Sequence, residues 1–124
     1  MARLATHNPN GAIDLVPVTF ALREDDTIVS VVDHKPKRTS KLQRLENIRT
    51  NPRVAVLVDH YDDEWSQLWW VRVRGTAHVV ERPDVTVLEP LRSKYEQYAA
   101  HPPDGAAIVI AVDDVTAWSA AGDY

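Results

Sequence analysis

Lys41 to His60 reads KLQRLENIRTNPRVAVLVDH, and two hydrophobic periods meet inside it. Leu42, Leu45 and Ile48 recur at helical spacing on one face, while Lys41 and Arg44 fall on another. Asn51-Pro52 then stops the helix, because the residue before a proline is pushed out of the α region. Arg53 to His60 (RVAVLVDH) is nearly continuous in apolar residues, the pattern of a central strand covered on both sides. Upstream, Thr39 and Ser40 stand where the helix should begin, and Ser40-Lys41-Leu42-Gln43 fits a capping box.

The charge of this region is as telling as its periods. From His34 to Arg53 lie seven of the fourteen Lys and Arg residues (Lys35, Lys37, Arg38, Lys41, Arg44, Arg49 and Arg53) against one acid, Glu46. That segment carries +6, so the other 104 residues carry −10 in a chain of net charge −4. A basic island on an acidic protein is a local anion site. At a helix start, free backbone N–H groups and the positive end of the helix dipole add to the flanking cations. Thr39, Ser40, Lys41 and Arg44 therefore read as a phosphate seat, with Lys41 and Arg44 one turn apart as its best candidates. Lys35, Lys37 and Arg38 lie in the loop ahead of it. The plainer reading is a solvated helix face with paired charges, but Glu46 could pair only a few of the seven cations.

Working outward, Arg3 to Thr6 and Ile13 to Leu22 flank Asn8-Pro9-Asn10-Gly11, a turn with glycine where a positive φ is needed. Pro17 cannot donate to a ladder and marks an edge or a bulge. Arg23 to Asp26 forms a second tight turn into Thr27 to Val32, rich in β-branched residues. Beyond the acidic turn Asp62-Asp63-Glu64, Gln67 to Val80 alternates. Trp69, Val71 and Val73 face one way, with Trp69 expected in the core, and Trp70, Arg72 and Arg74 face the other, towards a pocket or interface. A helix is expected over Val85 to Tyr98, with Pro90 in its first turn or kinking it. Ala106 to Val112 is the last strand, and Trp118 falls in a short tail. The sum is six strands and two helices in an α+β, mainly β domain, and tight turns favour a small antiparallel barrel.

Composition excludes several classes. With no cysteine there are no disulfides, thiolate metal sites or cysteine nucleophile. No apolar run approaches the ~18 residues of a membrane span, no signal peptide is visible, and the chain reads as cytoplasmic. A pI near 5.7 argues against nucleic acid as a partner. The five histidines are scattered, no G-x-S-x-G occurs, and four glycines leave no room for a Walker or Rossmann loop. The carboxylates from Asp59 to Glu64 fit no metal loop of defined geometry and read as a solvated turn. No catalytic constellation and no metal site is expected.

In combination, these pieces resemble the split β-barrel flavin and deazaflavin oxidoreductases, the pyridoxamine 5′-phosphate oxidase-like superfamily. ARLAT with Gly11 is similar to the family's first hairpin, Val16 to Phe20 to its second strand, and Lys41 to Arg53 to its K-x-x-R-L-x-N-I-x-x-N-P-R helix. Asp62 to Ser66 and Arg74-Gly75-Thr76-Ala77 resemble elements of the actinobacterial branch that uses the deazaflavin coenzyme F420. The resemblance spans essentially the whole chain, residues 1–124, as one split-barrel domain. Relatives usually carry a helix ahead of the first strand, whereas here Met1 stands almost on it.

The resemblance implies a homodimer with two cofactor sites at the subunit interface, the basic helix start of one subunit holding the phosphate. It places Val16, Pro17 and Val18 on the pocket strand and Trp65 at the position that reaches towards the partner's cofactor, while Trp70 is a further candidate from its shared face with Arg72. The implied chemistry is F420-dependent hydride transfer to a small conjugated or unsaturated substrate, with the cofactor carrying the reaction. Lys35, Lys37 and Arg38 would meet the oligoglutamate tail. Flavin mononucleotide (FMN) needs only one phosphate seat, so the surplus charge favours the tailed cofactor. The rivals are an FMN-dependent oxidase or reductase on the same fold, and a non-catalytic protein that binds F420 or haem.

Overall fold

The computed structural model describes residues 1–32 and 39–122, and the side chains of residues 39–42 lie outside that description. Seven strands, β1 (Ala2–His7), β2 (Ile13–Val18), β3 (Ala21–Leu22), β4 (Ile28–Val31), β5 (Arg53–His60), β6 (Trp69–Val80) and β7 (Ala107–Ser119), form one antiparallel sheet. Their order is β2-β1-β5-β6-β7-β4-β3. Helices α1 (Thr39–Thr50), α2 (Val85–Lys94) and α3 (Glu96–Ala100) and a 3₁₀ turn (Trp65–Gln67) complete the described elements.

Six strands and two helices were expected; the structure has seven and three among the described residues. The extra strand comes from Ile13 to Leu22, which does not run as one element. Pro17 sits in β2 opposite Arg3, on the edge where a missing N–H costs nothing. After Val18 the chain leaves that edge, and Ala21 and Leu22 pair with Val29 and Ile28 at the opposite edge. Two residues, Thr19 and Phe20, thus join both edges of the sheet, which must curl into a split barrel to let them.

The junction is held from outside. Phe20 N–H donates to Tyr95 Oη at 3.2 Å, Lys94 Nζ donates to the Phe20 carbonyl at 2.7 Å, and Thr19 and Tyr98 hydroxyls meet at 3.0 Å. These bonds explain the extra helix: Tyr95 takes an extended conformation (φ −115°, ψ 117°) between α2 and α3 instead of continuing a helix to Tyr98. Pro90 lies inside α2, beyond its first turn. Asp84 caps α2 by accepting from the N–H groups of Thr86 and Val87.

The third difference is β7, which runs to Ser119, not Val112, and brings Trp118 directly opposite Trp70. A bulge lets it through the acidic pair: Arg74 faces Asp114 but Gly75 faces Val112, leaving Asp113 as the extra residue. A Cβ on Gly75 would lie 2.5 Å from the Ala111 carbonyl oxygen, so only glycine fits this close approach.

The core lies on both sides of the sheet, in different places. Inside the barrel, Leu4, Val54, Val56, Ile28, Ile108 and Ile110 pack with Leu45 and Ile48 of α1. Outside β3-β4-β7, Val29, Val31 and Val109 pack under Val87 and Leu91 of α2. Over the outer face of β2-β1-β5-β6, no described helix packs. β5 is central in the sheet, as expected, but covered on one side only. No helix among the described residues is long and apolar enough to cross a membrane.

Candidate functional site

The anion seat inferred from sequence has its described part where α1 meets the first hairpin. A cleft of about 240 Å³ there is lined by Thr6, Asn8, Asp14, Leu15, Val16, Gln43 and Arg44. Arg44 contributes to its wall from the second turn of α1. Its Nε is buried with no hydrogen-bond partner among the described residues, and burial pushes its pKa down from the ordinary arginine value. Desolvation of a cation is costly, and a hydrogen-bonding anion at the unpartnered Nε would offset part of that cost.

The cleft wall is tied together by Asn47, which is fully buried and makes three side-chain hydrogen bonds. Its Nδ2 donates to Thr6 Oγ1 at 2.9 Å and to Asp14 Oδ2 at 2.8 Å, and its Oδ1 accepts from Gln43 Nε2 at 2.8 Å. Asn8 Nδ2 also donates to Asp14 at 3.1 Å. Hydrogen bonds from Asn47, then Asn8, hold the Asp14 carboxyl below its ordinary pKa. Gln43 reaches forward to Asn47, and α1 begins at Thr39, so Ser40 is a helical residue rather than the cap of the expected capping box. Sequence reading singled out neither Asn47 nor Asp14 individually. The available signal was Asp14 itself, an acid inside the apolar strand IDLVPV that must find donors.

The other candidates divide. Val16 lines the Arg44 cleft, Val18 is buried in the barrel core, and Pro17 faces outward opposite Arg3. Lys35, Lys37 and Arg38 lie outside the described residues, as do the side chains of Thr39, Ser40 and Lys41, whose backbone belongs to α1. Trp65 projects from the 3₁₀ turn and is 71% exposed.

Trp70 lines a second and larger pocket, about 460 Å³, on the bare outer face. Trp69, Trp118, Leu15, Leu57 and Arg72 share its wall, and the Arg3–Asp59 ion pair (2.9 Å) closes one side. Trp69, expected in the core, is 39% exposed. It has the parity of the interior but stands beyond the packed core, stacked on His60 at 6.2 Å between centroids. Ile13 (62% exposed), Leu15 (64%) and Trp118 (41%) extend the apolar character of this face. A further groove of about 620 Å³ follows the bulge, with Arg53, Arg74, Asp113 and Asp114 on its walls.

Comparison with known proteins bears on what such clefts serve. Residues 1–119 match the family model described as pyridoxamine 5′-phosphate oxidase. Among solved structures, a conserved hypothetical protein from Mycobacterium tuberculosis aligns with TM-score 0.69 at 23% identity, over 96% of this chain and 76% of that one. The haem storage protein of Vibrio cholerae aligns with TM-score 0.67 at 14% identity, over 95% and 84%. An FAD binding protein from Mycobacterium smegmatis gives 0.62 at 21%, over 94% and 83%. At these identities the structural likeness is one of fold. No curated protein matches the sequence.

Proposed function

The chain belongs to the pyridoxamine 5′-phosphate oxidase family, and from that premise we propose that it is an oxidoreductase using the deazaflavin coenzyme F420. Hydride transfer to a small conjugated or unsaturated organic substrate is the proposed reaction. The observation that carries the reading is Arg44, a partly desolvated guanidinium whose buried Nε has no hydrogen-bond partner among the described residues, at the wall of a cleft beside Val16. The residues present fit a phosphate-bearing cofactor: Arg44 and Lys41 would pair with the phosphate, backbone N–H groups at Thr39 and Ser40 would donate to it, and Lys35, Lys37 and Arg38 would meet an anionic tail. When bound, the deazaflavin supplies the hydride-carrying ring carbon. The protein's share is to orient that ring, with Trp70 and Trp65 as its aromatic contacts, and to keep water away.

Closing the site takes a second copy of the chain. Ile13, Leu15 and Trp118 are exposed on a sheet face that no described helix covers, and such apolar patches mark interaction surfaces. A homodimer across this face would bury them and bring one copy's Trp65 towards the other's cleft.

Flavin mononucleotide is the second reading, because a cleft of about 240 Å³ with one guanidinium suits a single phosphate as well. Parallel titrations with coenzyme F420 and flavin mononucleotide, read by tryptophan quenching, separate the two. Preference for F420, lost in Lys41→Ala/Arg44→Ala with the fold retained, supports the proposal. Preference for flavin mononucleotide moves the protein to the second reading. Tight binding with no turnover of any acceptor would make it a cofactor carrier, and haem belongs in the same titration series.

A further inference from the structure

We propose that Lys94, Tyr95 and Tyr98 are positioning residues for the cofactor cleft: from the junction of α2 and α3 they hold the Thr19-Phe20 crossing and so fix the pocket strand β2 against α1. This role deepens the oxidoreductase reading above. It rests on that reading for the occupant of the cleft, but not for the hold on the strand.

β2 needs such a hold. It is an edge strand with a ladder to β1 alone. Near its start, Asp14 accepts from Asn47 of α1 at 2.8 Å. Val16, two residues on, lines the Arg44 cleft, and Leu15 to Val18 carry no polar side chain that could anchor them. The next fixed point is the crossing, about 20 Å along extended chain from Asp14. An edge strand tied at both ends keeps its place, whereas one tied at a single end opens locally at low cost.

Three side chains grip the crossing. Tyr95 Oη accepts from Phe20 N–H at 3.2 Å, Lys94 Nζ donates to the Phe20 carbonyl at 2.7 Å, and the Tyr98 and Thr19 hydroxyls meet at 3.0 Å. Lys94 Nζ also lies 3.5 Å from the centre of the Phe20 ring, a cation–π contact that keeps the ammonium over the residue it bonds. Tyr95 and Tyr98 stand edge to face at 5.6 Å and pack with Val29, Val31 and Leu91. The helical ladder is interrupted for this: α2 stops at Lys94, Tyr95 is extended and α3 begins at Glu96. What the break places is two hydroxyls on the crossing. α2 packs over β3-β4-β7, so the grip is made within one chain, whatever covers the outer face of β2-β1-β5-β6.

Hydrogen exchange read by mass spectrometry, with titration by F420 and flavin mononucleotide, tests the role on the full chain. In Tyr95→Phe/Tyr98→Phe, amides of residues 13–18 should exchange about fivefold faster while those of residues 53–60 keep wild-type rates. The preferred cofactor should bind about fivefold more weakly. Val87→Ala loosens α2 from the sheet without touching the crossing, and as control should leave both readouts within about twofold of wild type. Unchanged exchange in the folded double variant would overturn the proposal. So would an equal rise in the control, which a merely structural role predicts, or faster exchange with undiminished cofactor affinity. Should the double variant not fold, Lys94→Met removes only the bond to the Phe20 carbonyl and should still raise exchange of residues 13–18 about twofold; no change there would overturn the proposal as well. A wild-type chain that binds neither cofactor rejects the cofactor reading, and exchange then decides the hold on β2 by itself.

Discussion

Asn47 of α1, fully buried, donates its side-chain amide to Asp14 of β2 at 2.8 Å, so the basic helix and the edge strand are locked through one polar contact. The same amide also reaches Thr6 of β1 at 2.9 Å. One residue therefore fixes the cleft wall on which Arg44 sits.

Asn47→Leu keeps the volume roughly and removes every one of these bonds. It leaves the buried Thr6 hydroxyl and the Gln43 amide without Asn47 as partner, so stability should fall by about 3 kcal/mol. Gln43→Ala, which removes a single part-buried bond, should cost about 1 kcal/mol or less. Urea denaturation of both variants checks the ranking, and equal costs would mean that Asn47 does not organise the cleft.

The Asp14 contact also sets a pH dependence. Its folded pKa is lowered by the Asn47 and Asn8 bonds, so its contribution is fully present above the unfolded carboxylate value, about 3.9. The contribution is lost as pH falls below that value and through the lower folded pKa. Asp25, bonded by Thr27, and Asp84, bonded by Thr86 and Val87, shift in the same direction. Acid should therefore destabilise the wild type in this window, and Asp14→Asn should lose less stability between pH 6 and pH 3. Denaturation midpoints at the two pH values would show an unchanged slope if Asp14 were uncoupled from folding.

Two glycines separate strain from crowding. Gly75→Ala would press a methyl group to within 2.5 Å of the Ala111 carbonyl oxygen, and the bulge would have to shift, at about 2–3 kcal/mol. Gly11→Ala meets nothing within 4 Å but must hold φ near +94°, a backbone penalty of about 1 kcal/mol. Thermal melts should therefore place Gly75→Ala well below Gly11→Ala.

The proposed dimer makes a separate prediction. Leu15 is 64% exposed on the bare face and contributes little to the core of one chain. Leu15→Arg should leave circular dichroism unchanged while light scattering reports a monomer, because an unpaired charge in an apolar interface is expensive. A variant with unaltered mass would show that copies do not meet through this face.

Much of the fold was legible because local periodicity and turn chemistry agree in the first hairpin, in α1 and along β5 and β6. What escaped reading depends on distant partners. Nothing local marks Thr19-Phe20 as a crossing between sheet edges; that follows from Ala21 finding Val29 instead of continuing beside β1. β7 read short because Asp113 and Asp114 break its apolar run, and only a bulge opposite Gly75 carries the strand past them. Alternation correctly put Trp70 with Arg72 and Arg74, yet it says which residues share a face and not whether that face is covered, so Trp69 was misplaced. At the candidate site, charge and helix position pointed to Arg44, whereas the Asn47–Asp14 contact beside it depends on β2 lying against α1.

The sheet order also governs how the chain can assemble. β4 pairs with β7 from Ile28 to Ile110, and β6 pairs with the same strand as far as Trp69 and Ser119. Neither can complete its ladder until Ala107 to Ser119 has left the ribosome, and pairings so remote in sequence close slowly. During that wait β4 and β6 offer unpaired backbone to other chains, the circumstance in which aggregation competes with folding. Synthesis of β7 is the step that ends the exposure.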